Sequence, residues 1–286
     1  MQQLTKTLLF IFLISICSIP VFAQTDLGNT DEEFSDDGRG WAFGLNVGVY
    51  YASKKTAEYY NGSLKNENNV GFVLSNYYWY QDIFRALRAH DSISVYGLPQ
   101  DMHYKLVMQP GIYAQFCFNP ALALVIEFNY MKLKAEDVIV FEVDPKPYAT
   151  EPDLRLYPIR GQEERIYCDI GLKKTIPKND RLNYYVMGGL NVNSTQVKKS
   201  SFYVEEVEYT MINNINGSYI PNGNNQTYNV YQGGIGAGIF AGAGAALTFP
   251  SGIVAEFGFT THYLMVNLTG YQTMNPGIGA NMRFMF

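Results

Sequence analysis

A two-residue period returns eight times along this chain, and each time it leaves one face apolar. In "WAFGLNVGVYY", Trp41, Phe43, Leu45, Val47, Val49 and Tyr51 share a face, while Ala42, Gly44, Asn46 and Gly48 share the other. Such alternation means a β-strand with one apolar side. The second run sets Leu106, Met108, Ile112, Ala114, Phe116 and Phe118 against Gln109, Gly111, Tyr113, Gln115 and Cys117. After Asn119-Pro120 the third sets Leu122, Leu124, Ile126, Phe128 and Tyr130 against Ala123, Val125, Glu127 and Asn129. Ile166, Cys168, Ile170 and Leu172 oppose Arg165, Tyr167, Asp169 and Lys173 in the fourth. The fifth has Leu182, Tyr184, Val186 and Leu190, and the sixth a nearly all-glycine second face from Gly234 to Gly244. In the seventh, Ile253, Ala255, Phe257 and Phe259 oppose Glu256, Gly258, Thr260 and His262. In the last, Ile278, Ala280, Met282, Phe284 and Phe286 oppose Gly279, Asn281, Arg283 and Met285.

The connections alternate in length. Those after the second, fourth and sixth runs are tight and hold Pro, Asn, Asp or Gly; the others span 52–104, 132–163 and 194–229. Each run meets the 9–11 residues that a tilted membrane strand requires. The expected fold is therefore all-β: an eight-stranded antiparallel transmembrane up-and-down β-barrel over 39–286, with short periplasmic turns and long extracellular loops. A lipocalin-like soluble barrel shares the period but turns its apolar face inward. Facing decides between them. The apolar face is uncharged through its middle and ends in aromatics such as Trp41, Tyr51, Tyr130 and Phe249. Aromatic girdles of this kind mark bilayer interfaces.

The first residues read as a secretory signal. Lys6 precedes an apolar run, Leu8 to Ile19, and Val21 and Ala23 satisfy the small-residue rule for a cut between Ala23 and Gln24. Residues 1–23 are expected to be removed. Residues 24–38 form an acidic periplasmic leader carrying Asp26, Asp31, Glu32, Glu33, Asp36 and Asp37, whose spacing fits no EF-hand. What remains, 39–286, holds 20 basic and 20 acidic residues, with no basic stripe for nucleic acid. Cys117 and Cys168 fall on opposite faces and make no disulfide framework.

Residues 39–286, together with "VFAQ" and the terminal "MRFMF", resemble the small outer-membrane β-barrels of Gram-negative bacteria, of OmpA-like or PorT-like type. The resemblance implies a place in the cell outer membrane, contact with its lipid, and recognition of Phe284 and Phe286 by the barrel-assembly machinery. It also implies a link to a type IX secretion system for PorT-like members.

Seven charged or titratable residues are expected in the lumen: Glu127, Arg165, Asp169, Lys173, Glu256, His262 and Arg283. A lone charge there is costly, so the reading is a structural network of pairs. Glu256 is expected to pair with Arg283, and Glu127 with Lys173 or Arg165. No catalytic, cofactor-binding or metal residue is assigned and no cofactor is implied. His262 is the best candidate base, but Ser251 lies at the opposite rim, and His90 and His103 stand apart from any ligand pattern. "GGIGAGIFAGAGAA" lacks the Lys-Ser/Thr of a phosphate loop and is read as a strand with a cleared inner wall.

The first long loop contains an amphipathic helix over 78–90, with Trp79, Ile83 and Leu87 on one stripe and Asn76 as cap. It is read as a lid on the barrel mouth, or as a docking surface by which loop 52–104 meets a protein partner. "DSI" at Asp91–Ile93 has the form of a bacterial O-glycosylation acceptor. The third loop, through "SFYVEEVEYTM", is expected to prolong the wall. The functional expectation is a non-enzymatic barrel with a structural, accessory or interaction role through its loops. A small channel and a lipid-modifying enzyme are the alternatives.

Overall fold

The structure is a computed structural model that describes residues 40–145, 151–179, 181–212, 215–216, 220–221 and 229–286. The signal segment, its Ala23–Gln24 junction and the acidic leader lie outside the described residues. Eight wall strands follow in chain order. They are β1 (Gly40–Tyr51), β2 (Val107–Asn119), β3 (Leu122–Val143), β4 (Asp153–Pro177), β5 (Leu182–Val204), β6 (Gly233–Thr248), β7 (Val254–Met265) and β8 (Met274–Met285). Each pairs antiparallel with the next, and β8 pairs with β1, so the sheet closes on itself.

Closure fixes the geometry. Stepping across paired residues, Trp41 leads to Phe116, Leu124, Leu172, Gly188, Ala241, Thr261, Ile278 and back to β1 at Tyr51. One circuit thus climbs ten residues of β1. That stagger on eight strands tilts them by about 40° and leaves an interior that side chains can fill.

The alternation sorts as expected. Leu190 (67% exposed), Ile235 (71%) and Phe259 (72%) are representative of the outer face, whereas Asn46, Glu127, Asp169, Glu256 and Arg283 are buried inside. Water cannot solvate an apolar belt that runs round every strand, and lipid tails can; the barrel spans a membrane. Asparagines build two of the tight turns at one rim. Asn119 Oδ1 accepts from Ala121 N and Leu122 N, each at 2.9 Å, and Asn179 Oδ1 accepts from Leu182 N at 2.7 Å. The third turns at Gly252, whose φ of +83° suits glycine.

At the other rim three strands outrun the membrane. β3, β4 and β5 have 22, 25 and 23 residues, about twice what a crossing needs. Short strands widen this extension: Ile93–Gly97 pairs with β3, and Val207–Thr210 pairs with β5. "SFYVEEVEYTM" prolongs the wall as expected, turning at Glu205. A bulge lies opposite Gln162 and Glu163, where Lys198 is the extra residue of β5. Below it odd-numbered residues of β5 point inward; above it Ser200, Phe202 and Val204 do.

The segment between β1 and β2 folds back over this extension. It contains α1 (Lys54–Ala57), a 3-10 turn (Glu58–Tyr60), α2 (Val70–Ser75) and α3 (Tyr77–Ala86). The expected helix is α3. Asn76 Oδ1 caps it, accepting from Tyr78 N at 3.1 Å and Trp79 N at 3.2 Å. It ends four residues earlier than the apolar stripe suggested. Arg88 is left-handed at φ 53°, and Ala89 N reaches back to Phe84 O at 3.1 Å, a Schellman ending without glycine. Asp144 then clamps the outgoing chain by accepting from His90 N, Asp91 N and Ser92 N. The short α1 and α2 were not anticipated; Ser53 and Asn69 cap them.

Ile83 of α3 and Leu87, its C-cap, are fully buried with Ile139, Phe141, Ile159 and Phe202 of the extension, the placement expected of a lid. Gly161 sets how close this cap can come, because a Cβ there would overlap the Tyr60 ring. Gly161→Ala should loosen the cap by about 1–3 kcal/mol. The check is faster proteolysis within 52–106 while the folded barrel keeps its heat-modifiable electrophoretic band.

Candidate functional site

The lumen holds the polar chemistry of the wall, and its side chains stack in three levels. At the level nearest the short turns, Lys173 of β4 reaches across to Glu256 of β7. Arg283 of β8 reaches Glu127 of β3, with Nη2–Oε2 at 2.7 Å and Nε–Oε2 at 2.9 Å. Asn46 donates to Glu127 Oε1 at 2.6 Å, and Lys173 donates to Gln115 Oε1 at 3.0 Å. Arg283 also donates to Tyr185 Oη at 3.1 Å and lies 5.0 Å from the Tyr113 ring centre. The rings add cation–π attraction where water is excluded.

The middle level is His262 with Asp169, at 3.0 Å from Nε2 to Oδ2. Asn191 donates to the other Asp169 oxygen at 2.7 Å, and Tyr50, Tyr167 and Phe240 surround the imidazole. At the outer level Arg165 pairs with Glu163 and donates to Thr56 Oγ1 at 3.2 Å. Tyr60 donates to Glu163 Oε2 at 2.5 Å. Burial, reinforced by the Glu163 carboxylate, pushes the Tyr60 and Tyr104 phenols well above their usual range, so both stay protonated. Thr56 and Tyr60 belong to the cap, which is thereby tied to the lumen by charge-assisted hydrogen bonds.

All seven expected lumen residues are buried and face inward; the expected Glu256–Arg283 pair forms, and the pairing of Glu127 differs from the expected one. Glu256 and Arg283 are register partners and form an ion pair at 3.7 Å, and each also holds a closer ion across the lumen. Glu127 pairs with neither Lys173 nor Arg165. The reason is the bore: in an eight-stranded barrel a long side chain reaches the far wall as easily as its neighbour. Glu163, Asn46, Thr56 and Tyr60 were missed. Glu163 was visible in principle, since it continues the inward set Arg165, Tyr167 and Asp169 at the same period.

The glycine face of β6 is occupied rather than open. A Cβ at Gly244 would meet the Tyr185 phenol, one at Gly242 would meet Met187, and one at Gly238 would meet Leu264. His262 has an orienting carboxylate, but among the described residues no serine hydroxyl bonds to it. Ser251 lies in the short turn at the inner rim, and His90 and His103 lie in the cap. Cys117 and Cys168 are free and sit on opposite faces of the wall. The cap carries an open cleft of about 760 Å³ lined by Glu58, Asn61, Leu64, Val70, Leu74, Val95, Tyr96 and Pro99. Leu64 and Tyr96 at its edge are 76% and 61% exposed.

No protein-family model and no curated relative matches the chain. Solved structures do. Neisserial surface protein A is 10% identical, with 86% of this chain and 99% of that chain covered and a TM-score of 0.39. Ail of Yersinia pestis, solved with the heparin analogue sucrose octasulfate, is 7% identical, with 86% and 99% covered and a TM-score of 0.34. The outer membrane protein OprG of Pseudomonas aeruginosa is 8% identical, with 86% and 93% covered and a TM-score of 0.35. At these scores the fold rests on the closed strand ring and its register, which are those of an outer-membrane-type barrel.

Removing one member of a buried pair strands the other. Lys173→Met should destabilise the barrel by about 3–5 kcal/mol, and Lys173→Met with Glu256→Leu by clearly less. Denaturant unfolding in lipid vesicles, run as a double-mutant cycle, checks this.

Proposed function

We propose that this chain is a non-conducting outer-membrane barrel, an interaction or accessory protein that anchors a folded extracellular cap. The observation that carries the reading is a bore spanned by ion pairs. Lys173–Glu256, Arg283–Glu127 and Asp169–His262 cross it, and Arg165–Glu163 ties its outer end to Thr56 and Tyr60 of the cap. A barrel that cannot pass solutes acts through what it displays, and here that is segment 52–106 with its cleft.

A protein partner meeting loop 52–104 fits this reading, and the likeness to PorT-like barrels makes a type IX secretion system the first place to seek it. Phe284 and Phe286, which project outward at the inner rim, are the residues proposed for reading by the assembly machinery. The lumen charges are proposed as structural, neutralising one another. An acyl-transfer reading would require a nucleophile at His262. The packing against the glycines of β6 disfavours a pore.

Planar-bilayer recording tests the proposal. The wild type should give no steady current, and sustained ion-selective openings would sink the reading. Exchanging Leu64 and Tyr96 for glutamate should abolish partner capture by the intact barrel without altering its folded band. Capture that persists would move the interaction away from the cleft.

A further inference from the structure

Outside the lumen, one surface carries charge out of proportion to the rest. On the outward faces of β3 and β4 the apolar belt ends at Tyr130 and Ile166, and the next outward residues are Lys132 and Glu164. Six cations stand on this band: Lys105, Lys132, Lys134, Arg160, Lys198 and Lys199. Three carboxylates accompany them: Glu208 pairs with Lys199 at 2.7 Å, and the other two are each shared. Glu136 lies between Lys105 and Arg160, the latter at 3.4 Å, and Glu164 lies between Lys198 at 3.1 Å and Lys132 at 3.9 Å. The Lys105 ammonium holds the Glu136 carboxyl below its usual range. Lys134 sits between the two groups, its carbonyl accepting from Lys105 N at 2.9 Å. No carboxylate lies within ion-pair distance of its ammonium among the described residues.

The band is therefore left with an excess of positive charge, although residues 39–286 balance overall. Its height is informative. A residue on a strand tilted by about 40° rises about 2.5 Å along the barrel axis, so Tyr130 to Lys134 covers about 10 Å. That is where hydrocarbon gives way to headgroups. The band is also one-sided, because the outer faces of β6, β7 and β8 carry no lysine or arginine.

We propose that the cationic band of β3, β4 and β5 binds the phosphate groups of anionic lipids in the outer leaflet and holds them against this flank. Lysine supplies a mobile point charge and three donors to a phosphate, and clustered cations at a headgroup layer attract anionic lipid additively. The outward apolar rows beneath would receive the acyl chains of the same lipid. The inference requires only that the barrel stand in a bilayer, and is independent of what the cap binds.

The test uses the full chain folded in neutral detergent micelles, titrated with diphosphorylated lipid A and read by native mass spectrometry. Wild type should retain lipid A, and should retain the dephosphorylated lipid of the same acyl composition at least tenfold less. The triple variant Lys132→Gln, Lys134→Gln, Lys198→Gln should weaken retention by about a hundredfold, or about fivefold per lysine. Lys178→Gln, at the opposite rim, should change nothing. Should the triple variant fail to fold, Lys134→Gln alone is read in the same assay, with a loss of about fivefold expected. Equal retention of the two lipids, or wild-type retention by a folded variant, overturns the proposal.

Discussion

Everything in this structure depends on the requirement that no backbone amide meet hydrocarbon unpaired. A sheet satisfies it only by closing, and closure on eight strands with a ten-residue stagger sets the tilt and the bore. The outer face is then committed to lipid and the inner face to a narrow shaft. Apolar burial in water stabilises little of the wall, because its apolar side chains point outward. It acts instead in the cap, where Ile83, Leu87, Phe141 and Phe202 form an ordinary core above the membrane.

The shaft is where the chain invests in polarity. A buried ion pair recovers its desolvation cost only when the remaining lone pairs and protons are bonded as well. Arg283 meets that condition through Glu127, Tyr185 and the Tyr113 ring, and Asp169 through His262 and Asn191. Such a network joins opposite walls with directional contacts, which a bore of packed methyl groups would not.

The wall was legible in the sequence because lipid enforces one rule on every strand, so Trp41 through Tyr51 and Ile278 through Phe286 announce both period and facing. Inward placement of Glu127, Asp169 and Arg283 followed from that period. Pairing across the bore did not, because it depends on the stagger, which arises only when all eight registers are combined. Glu127 and Arg283 lie 156 residues apart and meet across the bore. The helices α1 and α2 were hidden for another reason. Four and six residues are too few to display a period, and only their caps Ser53 and Asn69 mark them.

The bulge at Lys198 bears on how chains of this kind can change length. Pairing between β5 and β6 stops at Gln196 with Gly233, and the extra residue comes two positions later. Below that line, a single inserted residue would turn part of a strand inside out, sending ions into lipid and leucines into the shaft. Above it β5 no longer shares in the closed ring, so the surplus residue merely redirects the side chains that follow. The last β5–β6 pair is thus a boundary between two regimes of tolerance. On one side insertions and deletions are admitted only in pairs; on the other they arrive singly and reshape the exposed end.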